Sequence, residues 1–537
     1  MRCCVILCCL ISLSLNAQNP KLVVGIVVDQ MCYDYLERFD SNFGNVGFQR
    51  FLQKGLNCSN TTYNYVPTYT GPGHASIYTG TTPSNHGIVA NDWYDRTLKK
   101  SVNCVLDTSV KTIGSISRFG QASPHFLETT TISDQLKLTY PEAKVISLSI
   151  KDRSAILPGG HLSDGSYWFD FQTGTFITSN YYQASLPGWL TDFNANYPAD
   201  KYLKDWNLLL PLERYSRTLD DSPYERIISG KKAPVFPYTQ EEIGRGNYAQ
   251  FVVTPFANTQ LTDLATKAIV AEELGKRNAT DLLCISYSST DIAGHEFGPY
   301  SLEVEDMYLR LNLELERLFQ CLDQQVGKKN YVVFLTADHA VVPVPQQLVD
   351  SKLPGGYLNV DSLVTSLNRQ WTATYGEPLV SKCKNLNLYL NRDRIAALGL
   401  DLKTLQEDAV EWLRKNPLVR TAVSAHQLRD GSAFGPLENM LARGYTKERS
   451  GDVLFMLKPG LISGSEDSDE AHRGTTHGTA YNYDTHVPLL WYGAGIQRGK
   501  VFRPIAITDI AASLVYYLDL QRPASMTGEP IYELWNK

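Results

Sequence analysis

Six side chains of the types that hold zinc occur in this chain in the order Asp29, Asp291, His295, Asp338, His339 and His477, each in a short segment able to present it. Three carboxylates and three imidazoles complete two zinc sites if each ion keeps one position for water, substrate or a nucleophile, as catalytic zinc does. Taken singly, each residue has a bland explanation, since Asp caps helices and His sits in cores. Asp291 and His295, four apart and on the same side of a helical turn, are a weak pair alone. Thr70 lies between the first and second of the series, in the stretch Pro67 to Tyr78. Pro72 suits a first helical position, which puts Thr70 at or beside a helix N-terminus. Free N–H groups and the backbone dipole there favour a threonine alkoxide, although a plain Thr cap reads the same way.

The elements that must hold these residues are legible in the apolar runs. Asp29 ends the run Leu22 to Val28, and Asp338-His339 ends Tyr331 to Ala337, so both leave the carboxyl ends of buried parallel strands, the edge where open α/β sheets bind ligands. Strand signals at about 21–28, 143–149, 281–287, 331–336 and 487–492 alternate with amphipathic helices. That alternation predicts an α/β fold, a mostly parallel sheet with helices on both faces. In the helix Leu302 to Val326, Val304, Met307, Leu311, Leu315, Leu318 and Leu322 make one apolar stripe. Lys151 and Arg153 directly follow the strand Lys144 to Ile150 and reach the same edge, while Asn91 has a bland surface reading. Two stretches break the alternation and read as insertions over the sheet: 165–257, with a hairpin at Tyr167 to Ile177, and 341–450, a small α+β unit. The latter is marked by strands Asn385 to Leu390 and Gly451 to Leu457 and by the helix Leu402 to Lys415.

Hydrophobic content of 43% and charged content of 20% place the chain among globular enzymes. A formal charge of -6, with scattered Lys and Arg, gives no reason to expect nucleic-acid binding. Arg2, the apolar stretch Cys3 to Leu15 and Asn16-Ala17 match a secretory signal over residues 1–17, with a mature chain from Gln18 that is periplasmic or secreted. The apolar stretch is short for a membrane span. Six cysteines remain after the signal, of which Cys284 and Cys321 read as buried thiols and Cys58 with Cys104 as the one guessed disulfide.

The strand with Asp29-Gln30-Met31, Tyr65 to Thr70 followed by Gly71-Pro72-Gly73-His74, Ser289-Thr290-Asp291 with His295, Ala337-Asp338-His339 and Gly474-Thr475-Thr476-His477-Gly478 together resemble the alkaline phosphatase superfamily over nearly the whole mature chain. Asn91 with Lys151-Asp152-Arg153 resembles its phosphate-irrepressible, PafA-type branch; the related nucleotide pyrophosphatase/phosphodiesterases share the metal residues but lack the Lys-x-Arg pair. The resemblance implies an alkaline-phosphatase-like fold with inserted cap segments. It implies one Zn2+ on Asp291, His295 and His477, another on Asp29, Asp338 and His339, and Thr70 as nucleophile and metal contact. Asn91, Lys151 and Arg153 would contact phosphoryl oxygens. His74, His472 and His486 match no ligand position. Two divalent ions against three carboxylates and one alkoxide leave the cluster near neutral, and the two cations make it positive, which suits a phosphate monoester dianion better than a diester. The expected activity is monoester hydrolysis through a phosphothreonine. The main alternative is a zinc phosphodiesterase or nucleotide pyrophosphatase; a sulfatase disagrees with Thr70, and a non-catalytic zinc protein disagrees with the open, Cys-free ligation.

Overall fold

The computed structural model describes residues 19–217, 219–228, 230–464 and 472–535, so the expected signal segment lies outside the described residues. Its main sheet contains β1 (Leu22–Val28), β2 (Leu56–Cys58), β3 (Thr112–Ile113), β4 (Val145–Ser149), β5 (Gly165–Asp170), β6 (Thr175–Ser179), β7 (Asp281–Tyr287), β8 (Tyr331–Thr336), β9 (Leu489–Gly493) and β10 (Gly499–Val501). The spatial order is β10-β2-β9-β8-β1-β7-β4-β5-β6-β3. The central strands β8, β1, β7, β4 and β5 run parallel. Every residue of β1, β7 and β8 is buried, so both faces of the sheet are covered, which is why these strands read as unbroken apolar runs.

Among the covering helices are α1 (Thr70–Thr79), α2 (Asp152–Gly159), α3 (Phe256–Ala271), α4 (Ser289–Phe297) and α5 (Leu302–Gln325). The Ser301 hydroxyl accepts the Val304 N–H and caps α5, whose predicted stripe from Val304 to Leu322 is buried. A separate sheet in the order Val380–Lys384, Asn387–Leu390, Val453–Leu457, Val419–Ser424 closes on its own core of Leu367, Trp371, Leu388, Leu405, Leu413 and Phe455.

Three expectations change. The signal at 487–492 becomes β9, which runs antiparallel to β8, because its short run of buried residues fits either direction. The hairpin expected inside the first insertion is β5–β6, which extends the main sheet by pairing with β4; its apolar side chains find their cover there. Cys58 and Cys104 are free thiols in different apolar clusters, Cys58 on β2 in the main core and Cys104 beside Val105 and Trp93. Cys284 is buried as expected, and Cys321 is partly buried.

Candidate active site

Strands β8, β1 and β7 lie side by side, so the residues that follow them meet at one edge. Asp29 follows β1, its N–H donating to the Tyr287 carbonyl at 3.0 Å. Asp338 and His339 follow β8, and Asp291 and His295 occupy the first turns of α4 after β7. His477 arrives on a loop whose Gly474 has φ 71 and packs against the carbonyl of His295. Candidate ligand atoms of Asp291, His295 and His477 lie within 4.8 Å of one another, as do those of Asp29, Asp338 and His339.

The donor chemistry of both groups fits a divalent metal. His295 Nδ1 is 2.8 Å from the Thr475 carbonyl, His339 Nδ1 is 3.0 Å from that of Ala340, and His477 Nδ1 is 2.7 Å from that of Thr68. Each carbonyl takes an N–H, which fixes the tautomer and leaves the Nε2 lone pair free for a metal ion. Asp29 Oδ1 and Asp338 Oδ2 are buried without a hydrogen-bond donor, a costly state that a bound cation relieves.

Thr70 is the first residue of α1 and 1% exposed, with Oγ1 3.4 Å from His339 Nε2. Pro72 stands third in the helix rather than first, with Tyr69 as the extended residue before it. The Gly71 N–H donates to Asn91 Oδ1 at 2.6 Å, which leaves the Asn91 NH2 as a donor. Gly73 is required by close approach, since a Cβ there would lie 2.3 Å from the Asp338 carbonyl oxygen. Lys151 precedes α2 and sends Nζ 2.7 Å from Asp29 Oδ2 and 2.5 Å from Asp291 Oδ2, bridging the two ligand groups. Arg153 is two residues further on, in the first turn of α2; its guanidinium pairs with Asp152 at 3.6 Å, and its buried Nε has no acceptor.

The electrostatics follow from these distances. Burial, reinforced by Asp291 and Asp338, pushes Asp29 well above the usual carboxylate range despite Lys151. Burial also opposes ionisation of Asp291, but His295 and Lys151 outweigh it and hold Asp291 well below that range. Asp338 is held low in the same way, with His339 and His74 overcoming burial. Burial and the neighbouring imidazoles keep His477 neutral far below its ordinary pKa, while burial lowers His339 against the pull of Asp338. Neutral imidazole is the ligating form.

Sequence reasoning missed Gln30, Gly294 and His74. Gln30, at φ 67, donates its backbone N–H to Asp338 Oδ1 at 3.2 Å and its side-chain amide to Asp291 Oδ1 at 2.7 Å. Gly294 makes room for it, as a Cβ there would fall 1.8 Å from Gln30 Oε1. His74 bonds the Thr70 carbonyl and Ser286 Oγ and lies 3.4 Å from Asp338 Oδ2, which ties the start of α1 to the Asp338 group. A polar residue directly after the Asp of an apolar run, and a Gly between Asp291 and His295, were the available signals. His486 stacks on Tyr33 and bonds the Ser59 carbonyl, and His472 lies against Tyr357, both away from the ligand groups.

The sequence model of the family described as type I phosphodiesterase / nucleotide pyrophosphatase matches residues 23–480. The chain is 40% identical over 524 residues to alkaline phosphatase PafA of Elizabethkingia meningoseptica, covering 96% of this chain and 94% of the relative. It superposes on the crystal structure of wild-type PafA with a TM-score of 0.92, over 96% of this chain and 99% of that one. Alkaline phosphatase PhoV of Synechococcus elongatus is 40% identical over 96% of this chain and 93% of its own. A Myroides odoratus protein named calcium-transporting ATPase is 38% identical over 98% of this chain and 97% of its own. Among the described residues no helix is long and apolar enough to cross a membrane.

Proposed function

The chain belongs to the type I phosphodiesterase / nucleotide pyrophosphatase family and, within it, to the PafA-type alkaline phosphatases, and on that premise we propose that it hydrolyses small phosphate monoesters by a two-zinc, phosphothreonine route. The observation that carries this reading is the Thr70 hydroxyl at a helix start beside two ligand groups, with Lys151 between them. Asp291, His295 and His477 would hold one zinc ion, and Asp29, Asp338 and His339 the other, with Thr70 in contact. When bound, such ions act as Lewis acids toward the attacking and leaving oxygens of an in-line displacement.

The protein's own groups do the rest. Thr70 Oγ1, having given up its proton, forms the bond to phosphorus as the ester oxygen departs with its electron pair and takes up a proton; water then attacks from the vacated side and loses a proton as the P–Oγ1 bond breaks, regenerating Thr70 and releasing inorganic phosphate. The start of α1 favours negative charge on Thr70. The Asn91 NH2, the Lys151 ammonium and the Arg153 guanidinium would bind the non-bridging oxygens, with a dianion rewarded more than a singly charged diester. Export to the periplasm or medium, suggested by residues 1–17, belongs to the same proposal.

The test is a panel of nitrophenyl phosphate and its phenyl diester, run with metal analysis. Monoesterase activity with about two zinc ions per chain is expected, together with a phosphorylated Thr70 peptide trapped in acid and absent from Thr70→Ala. In Lys151→Ala/Arg153→Ala the monoester-to-diester ratio should fall by about 100-fold, the scale for losing preorganised charge at a transition state. An unchanged ratio would reject the specificity assignment and favour the diesterase reading that the family description carries.

A further inference from the structure

We propose that Asn385, at the tip of a hairpin in the inserted unit, is a positioning residue that holds the Asn91 amide in place for the phosphoryl group. The inference rests on the assignment of Asn91 to the phosphoryl oxygens. Strands Val380–Lys384 and Asn387–Leu390 are joined through Asn385 and Leu386, whose φ values of 51 and 56 are the left-handed pair of a tight two-residue turn. Asn is favoured in that conformation because its short polar side chain bonds locally; here the amide instead reaches out of the unit. Asn385 Nδ2 donates to the Asp92 carbonyl at 2.6 Å, and the neighbouring Lys384 Nζ lies 2.7 Å from Asp92 Oδ2.

Asp92 directly follows Asn91, so these contacts fix the next peptide unit. The Asn91 carbonyl is itself held by the Cys104 N–H at 2.9 Å. Between them the two bonds set the backbone from which the Asn91 side chain reaches Gly71, beside the nucleophile. Flanking contacts tie the same segment to the same unit. Arg449 Nη1 donates to the Gly87 carbonyl at 2.5 Å, and Arg96 Nη2 donates to the Ser450 carbonyl at 2.7 Å. The segment 87–96 is thus slung against the inserted unit at both ends, with Asn385 bonded to the residue that follows the one that would touch substrate. A hydrogen bond of this kind transmits position, and misplacement by 1 Å can cost a catalytic site about 100-fold.

Asn385→Gly keeps the left-handed backbone accessible while deleting the amide. The expected result is a fall of about tenfold in kcat/KM for nitrophenyl phosphate, with metal content and Tm unchanged. Asn385→Asp, which keeps the shape but cannot donate, should lose activity likewise and carries the same comparison if the glycine variant does not fold. In an Asn91→Ala background, Asn385→Gly should cause no further loss, because its effect passes through Asn91. Asp393→Ala removes the exposed Lys99–Asp393 pair between the same two parts of the molecule and should leave activity unchanged. Wild-type activity of Asn385→Gly, or full additivity with Asn91→Ala, overturns the proposal. Wild-type activity of Asn91→Ala alone would instead overturn the assignment of Asn91 on which it rests.

Discussion

Two buried carboxylate centres in this molecule meet opposite fates. Asp29, Asp291 and Asp338 are at most 3% exposed and face Lys151, His295, His339 and His477. Glu225 and Glu303, 3% and 0% exposed, face each other beside Tyr238, whose hydroxyl donates to Glu303 Oε1 at 2.6 Å. At the first centre cationic and ligating partners outweigh burial for two of the three acids. At the second nothing does. Burial, with Asp220 and Asp306, pushes Glu303 up to about 8, and burial with Glu303 pushes Glu225 up to about 10. Burial alone therefore does not make a ligand site. A carboxylate stays ionised out of water only where positive charge is supplied, and otherwise keeps its proton.

The sharpest break in this contrast is Asp338→Asn. A Lewis acid is worth several kcal/mol to a charged transition state, so losing its ligand should lower kcat/KM by roughly 1000-fold. Zinc content should fall towards one per chain, read by metal analysis after dialysis. Retention of full zinc would show that Asp338 is not a ligand. A smaller effect is expected of Gln30→Gly, which removes an amide from Asp291 without straining the backbone. Its zinc affinity should drop by about 10–100-fold, the usual cost of losing an outer support, with activity restored by excess zinc.

The smallest effect tests the second centre. A carboxyl whose folded pKa is raised binds its proton more tightly when folded. Stability is therefore greatest below the unfolded value near 4.5 and is lost as pH rises through about 8 to 10. Glu225→Gln removes the Glu225 share of that loss. Its Tm should match wild type near pH 5 and exceed it at pH 9 by a few degrees, on the scale of about 1 °C per kcal/mol for a chain of 537 residues. A third metal ion bound at Glu225 and Glu303 in wild type would erase the contrast.

Local chemistry explains what could be read in advance. A covered parallel strand must be apolar throughout, so β1 and β8 announce themselves, and the acid that ends each run announces the sheet edge. Thr70 was legible from its place just before Pro72, a residue best tolerated in a helix's first turn, although Pro72 stands third in the helix and Thr70 first. Gln30 was not, because its value lies in a positive φ and in acids 261 and 308 residues away. The same holds for Glu225 and Glu303, whose partnership depends on a loop laid over α5. Strand β9 hid its direction, since an apolar run has no polarity along the chain.

Residue type and order alone thus establish the α/β class, the ligand-type side chains and the hydroxyl between them, because those depend on periodicity and donor chemistry. Which acids gather charge and which keep protons, and which distant segment bonds the residue after Asn91, were decided only when the chain folded. Coulomb energy, burial and hydrogen bonding act across space, and residues 29, 291 and 338, or 92 and 385, become neighbours only through the tertiary structure.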